Sequence, residues 1–112
     1  MKRGELANRR FDRVYKGNKN DQKDYRVYLI VSRQVLIDSQ FPSVICAPVR
    51  TNYGGLPTQV EIDVDEGLKH ASAIYCDDLI SIPKPLLTNY VGALSDTKMD
   101  EVNTVLRIAL AV

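Results

Sequence analysis

Thr58-Gln-Val-Glu-Ile-Asp63 alternates without a break, Val60 and Ile62 pointing one way and Gln59, Glu61 and Asp63 the other. Period-two alternation sets the apolar pair on a core and the polar set in water, so the segment is one strand of a sheet with a wet face. Working upstream, Arg50-Thr-Asn-Tyr-Gly-Gly-Leu-Pro57 is a loop by composition, because Gly54-Gly55 frees the backbone and Pro57 forbids a continuing ladder. Ser43-Val-Ile-Cys-Ala-Pro-Val49 before it is a second strand, in which Pro48 has no amide hydrogen and predicts an edge, a bulge or a strand end. A break at residues 38–42 separates it from Val27-Tyr-Leu-Ile-Val31, which is apolar on both faces and too short for a helix. Downstream, residues 64–69 predict a turn or irregular crossing. Ser72-Ala-Ile-Tyr-Cys76 and Leu79-Ile-Ser-Ile82 predict two more strands, the second closed by Pro83 and Pro85, and residues 86–94 a further one around Tyr90 and Val91.

The period then changes. Met99, Val102, Val105, Leu106, Ala109 and Leu110 recur at three- and four-residue spacing behind Ser95 or Asp96, either of which can cap orphan amides. Asp100 and Glu101 near the start and Arg107 near the end suit the helix dipole. Such an amphipathic helix must lay its apolar stripe on the sheet. The predicted architecture is therefore a small, mainly antiparallel, strongly bent sheet or partial barrel closed by a terminal helix. No internal repeat or low-complexity tract interrupts it, and 112 residues predict one domain with one modest core.

Composition narrows the class. Hydrophobic residues at 45% and charged residues at 26% are the balance of a globular protein rather than a disordered tail. No run of 18 apolar residues predicts a membrane helix, and the N-terminal Met1-Lys2-Arg3-Gly4-Glu5 lacks the apolar segment of a signal peptide. Cys46, Cys76 and His70 are too few for a zinc site of cysteine and histidine alone, so a cytoplasmic protein with two reduced thiols is predicted. The net charge of +1 hides an asymmetry: residues 1–26 carry nine basic and four acidic side chains, net +5, whereas residues 27–112 carry six basic and ten acidic, net −4. A basic segment on a mildly acidic body either meets a polyanion or remains solvated.

Few residues are dressed for chemistry. His70 stands alone in a predicted loop, and the thiols of Cys46 and Cys76 lie in or at the end of apolar strands, where a thiol behaves as a small hydrophobe. No phosphate-binding glycine loop, paired-histidine motif or serine elbow is present. Asp63, Asp65, Glu66, Asp77 and Asp78 match no calcium loop and read as acidic surface. Arg26 is more telling, because it stands where a charged loop meets the apolar strand. A guanidinium held there can grip a phosphate through two parallel hydrogen bonds, or it can bridge to Asp24 or a terminal carboxylate. Arg50 and Thr51 follow Pro48-Val49 at another strand end, where a guanidinium and a hydroxyl can both face outward.

Taken in order, these features resemble the MazF/PemK toxin family of type II toxin–antitoxin systems. The resemblance begins at Lys2-Arg3-Gly4-Glu5 and continues through Arg26 with its apolar strand and Ser32, then Cys46-Ala-Pro-Val49. It runs on through Leu56-Pro-Thr-Gln-Val-Glu-Ile-Asp63, Ser72 to Ile82, Gly92-Ala-Leu94 and the final helix. It implies an SH3-like barrel of antiparallel strands with a C-terminal helix, assembled as a homodimer. It also implies a sequence-selective endoribonuclease acting on single-stranded RNA without metal or cofactor. The 2′-hydroxyl would attack the adjacent phosphorus, giving a 2′,3′-cyclic phosphate and a 5′-hydroxyl. The family's catalytic arginine falls on Arg26, and its catalytic threonine on Arg50 by strict spacing or on Thr51 one place later. RNA contact falls to Arg9, Arg10, Arg13, Lys19, Asn20 and Gln22. The implied partners are RNA and a cognate antitoxin with an acidic, disordered C-terminal segment; no membrane is implied.

The sequence departs from the family pattern in two places. Asn20, Asp21 and Gln22 occupy the position of a Gly-Ser-Glu-Gln loop, and Val27 replaces a proline. A basic insert at residues 8–19 stands where a strand and an Asp-Pro turn are expected. These departures leave two other readings: a gyrase-directed toxin of the CcdB-like group, or a catalytically silent relative that binds RNA or antitoxin.

Overall fold

The computed structural model describes residues 1–10, 25–51, 55–63, 68 and 71–112. Among the described residues seven strands run in chain order: β1 (Glu5–Arg10), β2 (Tyr25–Ile30), β3 (Ser43–Arg50), β4 (Gln59–Ile62), β5 (Ser72–Tyr75), β6 (Ile80–Pro83) and β7 (Leu87–Ala93). A one-turn helix, α1 (Gln34–Ile37), follows β2, and the long helix α2 (Asp96–Leu110) follows β7. The sheet path is β4-β5-β3-β2-β1-β7, with β6 branching onto β3, and all its pairings are antiparallel.

β2 is apolar on both faces because both faces are covered. Leu29 pairs with Leu6 of β1 on one edge and with Ala47 of β3 on the other, and all three are fully buried. On that face Val60 and Ile62 of β4, Ile74 of β5 and Val102 and Val105 of α2 complete the main core. The opposite face of β2, with Tyr28 and Ile30, joins Ile37, Val44, Cys46 and Ile82 in a second core. Pro48 fits a middle strand for a specific reason. One edge of β3 pairs with β6 through Cys46 and with β5 from Val49, so the proline sits where that edge changes partner and needs no ladder donor there.

The helix begins at one of the two caps the sequence offers. The Ser95 hydroxyl accepts from the Lys98 amide at 3.2 Å, and Ala111 closes the helix in the left-handed region at φ 56°. At the other terminus Gly4, at φ +89°, donates to Ile30 O at 2.8 Å and accepts from the Leu94 amide at 3.0 Å, binding β1 to the ends of β2 and β7. A Cβ there would stand 3.3 Å from Met99 Sδ, so close approach and backbone angle both demand glycine. The neighbouring Arg3 clamps β2 to α2, its Nε donating to Val31 O at 3.0 Å and its Nη2 to Asn103 Oδ1 at 2.7 Å.

Two expectations are corrected. The sheet does not close into an SH3-like barrel, and the fold is a mixed one of α and β rather than mainly β. Its path ends at β4 and β7, which do not pair with each other among the described residues, and α2 packs against β4, supplying with helix a wall that strand pairing would build in a closed barrel. Residues 8–10 also do not replace a strand: they complete β1, with Asn8 opposite Val27 and Arg9 opposite Arg26. Pairing with β2 outweighs the poor strand preference of Asn8-Arg9-Arg10.

Leu29→Ala should cost about 2–5 kcal/mol of stability, the usual range for a truncated core leucine, and Gly4→Ala about 1 kcal/mol or more from its backbone angle and crowded Cβ. Tyr90→Ala, at a side chain 66% exposed, should stay within about 0.5 kcal/mol. Urea unfolding followed by circular dichroism ranks the three.

Candidate active site

Antiparallel register gathers arginines at one end of the sheet. β1 ends, β2 begins and β3 ends at the same end, with Arg9 directly opposite Arg26. Directly opposed residues share a face, so Arg9 and Arg26 stand on the same face of the sheet as the second core. The β2–β3 ladder ends at Tyr28 with Pro48, and Arg50 closes β3 two residues beyond it, at the same end of the sheet. Three adjacent strands thus bring Arg9, Arg26 and Arg50 to one end of the sheet. Arg9 and Arg26 are half-buried and Arg50 exposed.

Arg50 is held toward β5. Its Nη1 donates to Asp78 Oδ2 at 3.0 Å, and its guanidinium lies 4.7 Å from the centroid of the Tyr75 ring. Both partners of that ion pair are about half exposed, so the contact positions Arg50 more than it stabilises the fold. Thr51 follows at once, just outside β3 and exposed. Beside Arg50 lies a shallow recess of 280 Å³ lined by Leu56, Thr58, Gln59, Tyr75, Asp77 and Asp78. The Thr58 hydroxyl donates to Asp77 Oδ2.

The other predicted site residues divide in two. The backbone of Arg10 closes β1 opposite Tyr25, at the same sheet end as Arg26. Arg13, Lys19, Asn20 and Gln22 lie outside the described residues, as does His70. Among the described residues no group of three His, Cys, Asp or Glu side chains is placed to hold a metal ion, and no helix is long and apolar enough to cross a membrane.

Burial decides the behaviour of both thiols. Cys46 lies in the second core, and desolvation pushes its thiol up to about 12 although the Arg9 guanidinium pulls the other way. Cys76 is raised to about 11 by burial, with Asp77 adding to the rise. Neither is an activated nucleophile.

Sequence reading missed Tyr75 and Asp78 as partners of Arg50. Their only sequence-level signal is an aromatic and an acid flanking the turn after a strand, and a long sequence separation from Arg50, 28 residues for Asp78, conceals the contact.

The chain belongs to the family described as PemK-like, MazF-like toxin of type II toxin–antitoxin system, which it matches over residues 2–110. It is 32% identical over 97 residues to Endoribonuclease EndoA of Bacillus subtilis, a match covering 83% of this chain and 82% of that protein. It is 35% identical over 69 residues to Endoribonuclease MazF3 of Mycobacterium tuberculosis, covering 62% of this chain and 66% of that protein. Among solved structures, the Mycobacterium tuberculosis toxin MazF-mt6 superposes with a TM-score of 0.79 at 24% identity, over 96% of this chain and 97% of that one. MazE–MazF from Deinococcus radiodurans gives a TM-score of 0.79 at 18% identity, over 100% and 96%. At these identities the two structures speak to the fold.

Native protein at pH 8 should leave both thiols unmodified by iodoacetamide over minutes, and unfolding should expose two per chain, counted by mass spectrometry. Because the folded Cys46 thiol ionises only near 12 against 9.0 ordinarily, only the unfolded chain is ionised there between those values. Stability should therefore fall as pH rises across that window, as urea midpoints will show.

Proposed function

We propose that the chain is a sequence-selective endoribonuclease toxin that cleaves single-stranded RNA without a metal ion. The observation that carries this reading is the gathering of Arg9, Arg26 and Arg50 at one end of three adjacent strands, with Thr51 directly after Arg50, in a chain of the MazF/PemK family. A phosphate set between two opposed arginines can accept paired, charge-assisted hydrogen bonds from both.

In the reaction, a ribose 2′-hydroxyl gives up its proton and its oxygen attacks the adjacent phosphorus. The bond from phosphorus to the 5′-oxygen breaks, that oxygen takes a proton, and a 2′,3′-cyclic phosphate remains. The protein's work is to hold the attacking and leaving oxygens in line and to stabilise negative charge as it grows on the phosphoryl oxygens. Arg26 grips the phosphate from a strand held on both edges. Thr51 supplies the second contact: Arg50 is drawn toward Asp78 and Tyr75, whereas the Thr51 hydroxyl follows the strand end in solvent. Arg50 then steers the strand. Dependence on the 2′-hydroxyl spares DNA.

To Arg9, Arg10, Arg13, Lys19, Asn20 and Gln22 we assign contact with the RNA. The net charge of +5 over residues 1–26 attracts a second polyanion too, the acidic, disordered C-terminal segment of a cognate antitoxin. The active form is a cytoplasmic homodimer, in keeping with the modest core and with Ile108, Leu110 and Val112 left exposed along the end of α2.

The purified protein, incubated with a long single-stranded RNA in EDTA, should yield cyclic phosphate and 5′-hydroxyl ends. Activity that disappears in chelator and returns with magnesium overturns the metal-free route. Arg26→Ala should remain folded and lose about 2–4 kcal/mol of transition-state stabilisation, a thirtyfold to thousandfold drop in rate. Thr51→Ala should lower kcat at any salt, whereas Arg50→Ala should chiefly raise KM and flatten its salt dependence. The reverse pattern exchanges their roles.

A further inference from the structure

The recess beside Arg50 has no part in the phosphate chemistry above, yet it is built from fixed pieces. Tyr75 ends β5, and Asp77 and Asp78 form the turn after it, where the Asp78 amide donates to Tyr75 O at 3.3 Å. The Cys76 amide donates to Thr58 O at 3.1 Å, sewing the turn to the start of β4. Thr58 holds Asp77 through Oδ2, and Arg50 holds Asp78 through Oδ2. Each carboxylate is thus oriented by a neighbour and retains a second oxygen as acceptor. Leu56 and the Tyr75 ring add apolar surface, and Gln59 an amide.

Charge decides what can enter. A phosphate meets two carboxylates and is repelled, whereas a nucleobase is neutral and flat. Tyr75 already carries a planar group, the Arg50 guanidinium, 4.7 Å from its ring centroid. Bases stack on aromatic rings and on guanidinium planes alike. Ionised carboxylates only accept hydrogen bonds, so the base must present donors. Guanine offers two adjacent ones, N1–H and N2–H, spaced to match the two oxygens of one carboxylate. Uracil offers a single N–H between two carbonyls, which would face the carboxylates lone pair to lone pair.

We propose that this recess is a base-selecting subsite that takes a guanine next to the scissile phosphate, Tyr75 stacking on the base and Asp78, beside Asp77, reading its donor edge. The inference rests on the endoribonuclease reading and adds the specificity that the phosphate contacts lack. Arg50 joins the two functions, since it touches Tyr75 and Asp78 and directly precedes Thr51.

Binding and cleavage can be separated. Fluorescence anisotropy with 2′-O-methyl heptamers, all-uridine or carrying one central guanine, cytosine or adenine, reads base preference on RNA that cannot be cut. The parent protein should bind the guanine heptamer about tenfold or more tightly than all-uridine, the size of discrimination one bidentate contact gives. Tyr75→Leu and Asp78→Asn should each shrink that ratio to within about threefold and leave all-uridine affinity within about twofold. Asp78 is exposed, so its variant tests the idea even if Tyr75→Leu unfolds. A parent that cuts unmodified RNA but does not prefer guanine overturns the subsite and leaves the endoribonuclease reading standing. A folded Asp78→Asn protein that keeps the parent ratio also overturns it. A parent that neither cuts RNA nor binds any heptamer overturns both.

Discussion

The seating of Leu29 between Leu6 and Ala47 is the constraint on which the rest of the molecule depends. These three side chains lie in a line across β1, β2 and β3 with no solvent exposure. Strand side chains alternate strictly, so the same pairing that buries Leu29 sends Tyr28 and Ile30 to the opposite core and Arg26 to the face it shares with Arg9. A slip of one residue would carry Arg26 into the main core and Leu29 out of it. The hydrophobic effect therefore sets the position of the charged groups, and the site inherits its geometry from a packing decision.

Arg9, Arg26 and Arg50 illustrate how differently one residue type behaves at one end of a sheet. Arg9 is close enough to the second core for its charge to be felt at the Cys46 thiol, while Arg50 is drawn sideways by Asp78 and by the face of Tyr75. Two half-buried guanidinium groups beside an exposed one make a graded field. The solvated charge is the one most screened by salt, and the half-buried ones are screened less.

Much of the fold was legible from local pattern. The alternation of residues 58–63, the apolar run at 27–31 and the three- and four-residue spacing after Ser95 each report one element's surroundings, and β4, β2 and α2 stand where these patterns lie. β1 was hidden because Asn8-Arg9-Arg10 is a poor strand by itself and becomes one only against β2. Barrel closure was illegible for another reason: it depends on whether β4 and β7 meet, and no residue within either strand encodes that. Site legibility followed the same division. The candidates Arg26, Arg50 and Thr51 stand out by residue type at strand ends, but that Arg9 lies opposite Arg26 emerges only from register. Tyr75 and Asp78, which read as ordinary strand and acidic surface, gain meaning only from Arg50.

The alternation of β3 has a thermodynamic consequence. Cys46 belongs to one hydrophobic core and Ala47, the next residue, to the other. A single peptide unit thus separates the two interiors, and neither can loosen without tugging on a backbone that the other grips. Domains with two cores often come apart in stages, as separate cooperative units with separate free energies. Here the shared strand is a common spine, so an opening of either core strains the backbone on which the other, and the sheet end bearing the arginines, is built.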